Sequence, residues 1–550
     1  MVDLDPGRLF LEEVLASPED DAPRLIYADY LEEQGDPRGE FIRLQCELDR
    51  LDSLDTHYLD VLHRCSEILQ SHQAEWADGF QHDVRKIGYT RGFIQDVSMR
   101  ARAFLKDGAN LYRSSPIHWL RLLYLKGSGE RIAASEALQN VRALDLAGLT
   151  IPDQDLVALL TSSNLSHVES LNFSHYEMFY SGEVGAALAA MPAAKTIRWL
   201  EIPCGDEFLH SISRGDGFPK LEHLGVGTAF AESGLAGLAN LQVPSLTSLK
   251  CGSTLNVSDT EVLAQLPVQQ LDVLNLRATG VPARGLLRLA ERGALDSLRT
   301  LNLRNCGLGI RTADVLFAEQ RLGNCESLDL SLNRNLGQGR RPRSLVEHLV
   351  AHEAISRLKH LSVSGLLPGD LSTLAACPRL AGLRTLALDS SQLGAGDLAA
   401  LADSPIADSL QKLSLISCDA SLEAIISMAA ERPFPHLISL EFGGSYDDLN
   451  TFDDLRVGAM AESGSFPALQ LLVLDDMELK SETLRNIADS AELPELRQIS
   501  FRDNETSPDS IQALMTSPRI PKLNKLLLTG ASHYGDRLGA GRYGSRVEFL

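Results

Sequence analysis

The sequence predicts an α/β solenoid, with a parallel sheet on one side and helices on the other, preceded by a small all-α domain. Three observations predict the solenoid. In residues 298–306, LRTLNLRNC, apolar Leu301 and Leu303 alternate with polar Thr300, Asn302 and Arg304, the pattern of a half-buried strand. The same L-x-x-L-x-L word recurs sixteen times, its middle residues mostly 24 to 29 apart, with 33 and 32 at two insertions and 21 at the start. Between the words lie helical stretches such as 155–160, 371–376, 397–401, 422–430 and 481–487.

From about residue 6 to 69 the periodicity is helical. Leu9, Phe10, Val14 and Leu15 form one apolar stripe; Leu25, Ile26, Tyr30 and Leu31 form a second; Phe41, Ile42, Leu44 and Leu48 form a third. Turn-forming Asp5 and Pro6, residues 17–21 and residues 35–39 punctuate them. The wording PRLIYADYLEEQGDPRGEFIRLQ, residues 23–45, resembles the bacterial repeat-companion domain, a helical module that precedes repeat arrays. The match covers roughly residues 6–50, and GYTRGFIQDV, residues 88–97, resembles the linker that such proteins place before their first repeat. The resemblance implies an architecture and no activity.

The middle residues of the words are Leu123, Leu144, Leu171, Leu200, Leu224, Leu249, Leu274, Leu301, Leu328, Leu361, Leu386, Leu413, Leu440, Leu472, Ile499 and Leu526. With repeats of about 27 residues they resemble the ribonuclease-inhibitor-like class of leucine-rich repeat. Parallel strands sit about 4.8 Å apart and packed helices about 8–10 Å apart, so the stack is expected to curve into a horseshoe with a concave sheet and convex helices. The inner arc would be roughly 75 Å long. In GRYGSRVEFL, residues 541–550, Val547 and Phe549 offer a closing strand, and this ending also resembles the tails of repeat-companion proteins. The expected organisation is a helical repeat-companion domain at 1–70, a linker and N-terminal cap at 71–116, the array at 117–530 and a C-terminal cap at 531–550.

Composition narrows the function. The net charge is −23, and the first 60 residues hold 17 Asp and Glu against 5 Arg and no Lys. Such acidity argues against nucleic acid or an anionic membrane as the ligand, because phosphate binding needs clustered Lys and Arg. There is no apolar leader after Met1 and no run of about 18 apolar residues. The eight cysteines form no C-x-x-C pair. Cys251, Cys306, Cys325 and Cys418 read as small buried hydrophobes, and a reduced cytoplasm is the expected location.

Several apparent chemical motifs fail on spacing. Gly539, Gly541 and Gly544 spell G-x-G-x-x-G without a strand-turn-helix unit around them. His348 and His352 are four apart, but Leu349 stands where a zinc peptidase has Glu. The cluster Asp29, Glu32, Glu33, Asp36 and Glu40 reads as a solvated helix face. The acidic loop 445–454 lacks the residue order of a calcium loop. No enzyme, cofactor or metal is therefore expected.

What remains is a binding surface. Outward strand positions carry Lys126, Lys250, Arg277, Arg304, Lys412, Arg502 and Lys525 against Asp145, Glu201, Asp329, Asp389, Glu441 and Asp475, a nearly balanced face in an acidic chain. Its densest polar part is Asn275, Arg277, Asn302, Arg304, Ser327 and Asp329; the inserted loop 333–344 adds Arg340, Arg341 and Arg343. The expectation is a cytoplasmic, non-catalytic scaffold holding a protein partner on its concave face. The alternative is a regulator of a partner enzyme, an inhibitor or an activator resembling the Ran-type leucine-rich-repeat proteins. A third reading, an enzyme in the N-terminal segment, has no motif behind it. Partner identity and oligomeric state are not encoded in any motif.

Overall fold

A computed structural model describes residues 6–77, 84–175, 178–227, 235–252, 254–318, 321–333, 345–420, 433–444, 454–489, 492–530 and 546–549. The chain forms two compact units: Met1–Leu51 with Arg64–Ala294, and Asp52–His63 with Leu295–Leu550.

The first unit opens with helices α1 (Pro6–Ala16), α2 (Asp21–Glu33) and α3 (Pro37–Leu48), followed by α4 (Tyr58–Trp76), whose first six residues belong to the second unit. Asp20 and Asp36 start α2 and α3: their carboxylates accept the N–H groups of Ala22 and Arg38, at 2.9 and 2.8 Å. The apolar stripes converge on a core of Val14, Ala28, Leu31, Ile42 and Cys46, which also contains Phe93 from the stretch expected to be a linker. That stretch is a β-hairpin. Strands β1 (Val84–Thr90) and β2 (Phe93–Arg100) pair antiparallel around Arg91 and Gly92, both at positive φ, as a two-residue turn requires. Gly92 is obligatory on a second count, since a Cβ there would collide with Ile42. The Gln45 side chain closes the turn, accepting the Gly92 N–H at 2.8 Å, and the guanidiniums of Arg24 and Arg38 stand 5.7 and 5.0 Å from the Phe93 ring centre. Residues of the 23–45 stretch, Arg24, Arg38, Ile42 and Gln45, thus hold the hairpin to the helices.

From β2 the sheet is parallel. After helix α5 (Ala101–Ser114) come β3 (Trp119–Leu123), β4 (Ala143–Asp145), β5 (Ser170–Asn172), β6 (Trp199–Ile202), β7 (His223–Val226), β8 (Ser248–Cys251) and β9 (Val273–Asn275), each paired with the one before. One register differs from expectation. Leu120, not Leu123, pairs with Leu144, and the buried set is Ile117, Leu120, Leu122 and Leu125.

The second unit continues the plan with β10 (Thr300–Asn302), β11 (Ser327–Asp329), β12 (His360–Ser362) and β13 (Thr385–Ala387). The two-residue strands β14 (Gln392–Leu393) and β16 (Asp419–Ala420) form a separate pair. The main ladder runs on through β15 (Lys412–Ile416), β17 (Ser439–Gly443), β18 (Leu471–Asp475), β19 (Gln498–Ser500), β20 (Lys525–Leu528) and β21 (Val547–Phe549). In β21, Val547 and Phe549 pair with Leu526 and Leu528.

Fifteen of the sixteen expected middle residues lie on these strands as read, and all fifteen are at most 2% exposed, Leu301 and Leu328 among them. Buried polar side chains stitch repeat to repeat. Asn333 Oδ1 accepts the N–H groups of Cys306 (2.9 Å) and Leu308 (3.1 Å) while its amide donates to the Leu303 and Leu330 carbonyls. The Asp397 carboxylate accepts from Gly369, Ser372 and Gly394. These bonds satisfy backbone N–H and C=O groups that the short strands leave over. Cys251, Cys306 and Cys325 are buried, and burial pushes the Cys251 and Cys325 thiols up to about 12, so neither is a thiolate near neutrality. Cys418 is half-buried rather than buried.

Candidate functional site

Period-two alternation puts the residues beside each buried middle leucine on the open face of the sheet. In the second unit that face holds Asn302, Arg304, Ser327 and Asp329. Asn302 Oδ1 accepts the Arg304 N–H at 3.0 Å, and Asp329 Oδ1 accepts both the N–H (3.0 Å) and the hydroxyl (2.6 Å) of Ser331. Arg304 Nη1 donates to Ser331 Oγ at 3.1 Å, so Arg304, Ser331 and Asp329 form one chain of bonds across neighbouring repeats. Asn302 and Asp329 therefore work as turn caps, a role open to any Asn or Asp two residues before a turn. In the first unit, Asn275 does the same for Arg277, at 3.1 Å, and leaves the Arg277 side chain exposed. Arg340, Arg341 and Arg343 lie outside the described residues, as do Gly539, Gly541, Gly544 and residues 445–453 of the acidic loop.

The first unit carries a cluster that charge totals alone did not reveal. Trp199 and Glu201 flank Leu200 on β6, His223 precedes Leu224 on β7, and Ser248 and Lys250 flank Leu249 on β8. The register sets Trp199 beside His223 and His223 beside Ser248. The Trp199 and His223 rings stack at 4.7 Å with an 11° interplanar angle. His223 Nδ1 is 2.8 Å from Ser248 Oγ, and its Nε2 is 3.5 Å from Glu201 Oε1. Lys250 Nζ donates to the same Glu201 oxygen at 2.8 Å. Gly225 makes room for this: a Cβ there would stand 2.6 Å from Glu201 Cγ. Burial pushes the Glu201 carboxyl up, but His223 and Lys250 outweigh it and hold the group below its ordinary value. The result is an anion fixed by Lys250 and approached by His223, with an aromatic pair alongside and the Lys250 side chain 46% exposed.

The other sequence candidates are occupied locally. Glu32 pairs with Arg43 at 2.9 Å, Asp29 pairs with the same Arg43, and Glu40 pairs with Arg64 at 2.7 Å. His348 Nε2 meets Asp314 at 3.1 Å, whereas His352 Nε2 meets the Ala318 carbonyl at 2.8 Å, so the two imidazoles face different partners. Among the described residues, no group of three or more His, Cys, Asp or Glu is arranged to hold a metal ion, and no helix is long and apolar enough to cross a membrane.

No family model matches the sequence, and no curated protein matches it. Solved structures that it resembles include the yeast Rad7 and Elc1 complex, at 14% identity over 69% of this chain and 79% of that one, with a TM-score of 0.36. An internalin from Listeria monocytogenes is similar at 15% identity over 71% of this chain and 81% of that one, with a TM-score of 0.27.

Proposed function

We propose that this chain is a non-catalytic scaffold that holds a protein partner on the concave strand face of its repeats. The observation that carries the reading is the cluster on β6, β7 and β8. A tryptophan is stacked, half-buried and beside a pre-paired Glu201 and Lys250 on a face that the fold itself does not bury. Tryptophan and paired charges held in fixed geometry are what concentrate binding energy at protein interfaces. Further proposed contact residues are Asn275 and Arg277 in the first unit and, in the second, Asn302, Arg304, Ser327 and Asp329 with Arg340, Arg341 and Arg343; Arg277 and Arg304 supply charge and the Asn and Asp side chains shape the turns.

The test is affinity capture from lysate with the full chain in three forms: unaltered, Trp199→Ala with His223→Ala, and Arg277→Glu with Arg304→Glu. Loss of one defined set of recovered proteins in either altered form supports the reading. Identical recovery by all three forms would sink it.

A further inference from the structure

In the second unit the stretch Asp52–His63 lies against the leading ends of the C-terminal strands. Asp52 Oδ2 is 3.4 Å from Arg384 Nη1, just before β13. Asp60 grips Arg497, just before β19, through two bonds: Nε to Oδ1 at 2.6 Å and Nη2 to Oδ2 at 2.9 Å. One turn later, His63 Nε2 meets Gln498 Oε1 at 2.9 Å. Arg384 and Arg497 hold the same position in their repeats. With β15, β17 and β18 between their strands, the two guanidiniums sit on a row roughly 19 Å long. The acidic stretch therefore runs across the strands.

Burial along this row follows the same boundary. At the equivalent position, Arg299 and Lys359 of earlier repeats are exposed, whereas Ile438, Gln470 and Arg497 are 4%, 2% and 7% exposed. The covering stretch is mixed: Leu59 and Val61 are buried, whereas Asp52 and Asp55 are exposed. Asp52 and Asp55 accept the N–H groups of Leu54 and His57, both at 2.9 Å, and so form turns that lead into α4, where Asp60 stands in the first helical turn. Within this row, Gln470 Oε1 is buried with no hydrogen-bond partner, an unsatisfied polar group between the two arginines.

We infer that the row from Arg384 to Arg497 is a groove for acidic peptides, and that Asp52–His63 is its resident occupant, which an acidic segment of a partner protein displaces. The matching segment carries carboxylates able to reach both guanidiniums and a turn that opens into a helix. The groove lies at the leading ends of the strands, apart from the residues proposed above as the docking face, so it stands whether or not that face binds.

The test uses the full chain and a fluorescent peptide of residues 50–66 as the probe, read by anisotropy. The unaltered chain, its groove filled from within, binds the probe weakly. Asp52→Ala with Asp60→Ala removes the resident's anchors and raises probe affinity at least about tenfold. Adding Arg497→Glu abolishes that gain. Exchanging the charges, Asp60→Arg with Arg497→Asp, restores the closed groove and weak binding. If the double alanine form does not fold, Asp60→Asn provides the same comparison. An opened chain that folds but binds the probe no better than the unaltered one overturns the inference, as does binding indifferent to Arg497→Glu. Concentration-dependent dimers of the opened chain, joined through exchanged 52–63 segments, would also overturn it by making a second copy the occupant.

Discussion

Replacing Leu301 tests the face assignment on which every other statement rests. Leu301 is 0% exposed and pairs in parallel register with Leu328, itself 2% exposed. Truncation to alanine in such a site removes transfer energy and leaves a cavity, together about 2–5 kcal/mol. Leu301→Asp adds an unpaired buried carboxylate and goes further. Its neighbour Asn302 faces the other way, and its side-chain Oδ1 accepts the Arg304 N–H at 3.0 Å. Asn302→Asp keeps that acceptor, so its effect stays within about 0.5 kcal/mol. At about 2–4 °C per kcal/mol for a domain of about 250 residues, Leu301→Ala lowers the midpoint of thermal unfolding by roughly 4–20 °C while Asn302→Asp leaves it nearly unchanged. Circular dichroism melts of the three chains read this directly. Equal midpoints for Leu301→Asp and Asn302→Asp would refute the assignment of the two faces.

Three further outcomes are expected. His63 is held below its ordinary pKa of 6.5, first by burial, with Lys525 adding to the effect and Gln498, Asp60 and Asn524 opposing it. The released segment therefore takes up a proton before the docked one does, so docking is at full strength above pH 6.5 and weakens as pH falls below it. The Asp60 carboxyl is held down by Arg497 and stays ionised throughout that window. Hydrogen exchange in residues 52–63, corrected for intrinsic rates, should speed up between about pH 7.5 and 5.5; unchanged protection would count against this. Gly92→Ala, at φ +83° and against Ile42, should cost at least about 1–2 kcal/mol in denaturant melts, where a neutral result would mean that the hairpin is not packed on α3. Asp397→Ala strips four hydrogen bonds from backbone and side-chain donors and should cost about 3 kcal/mol, with Asp397→Asn intermediate. The Asp397 carboxyl, although burial pushes it up, is held below its ordinary value by those donors, so its contribution disappears only as pH drops through that lowered pKa.

The repeat core was legible because a strand's side-chain period is two, and a leucine such as Leu301 can satisfy it in one frame only. Where two frames compete, the reading slips: around Leu120 both Leu120-x-x-Leu123-x-Leu125 and Ile117-x-x-Leu120-x-Leu122 fit the word, and packing selects the second. The β1 and β2 hairpin carries its signal in Arg91 and Gly92, a two-residue turn between alternating strands, whereas the resemblance of this stretch implies a linker. On the open face, Trp199, His223 and Lys250 sit 24 to 27 residues apart in sequence, and only aligning the strands in register brings them together. Counting charges could not, since Trp199 carries none. The contact of Asp60 with Arg497 joins positions 437 residues apart and left no local trace in the sequence. The polar residues at Asn302 and Asp329 were legible as outward positions, but not their bonds to their own turns, where Asn302 Oδ1 accepts the Arg304 N–H and Asp329 Oδ1 the Ser331 N–H.

The most direct test of the proposed scaffold role places a photo-crosslinking residue at one position on each side of the second unit, Asn302 on the strand face and Arg485 on the helix at Ser481–Asp489. Irradiation of the full chain in lysate should yield discrete protein adducts from position 302 that excess unlabelled chain competes away, with none from position 485. Competed adducts from position 485 and none from position 302 would contradict binding on the strand face.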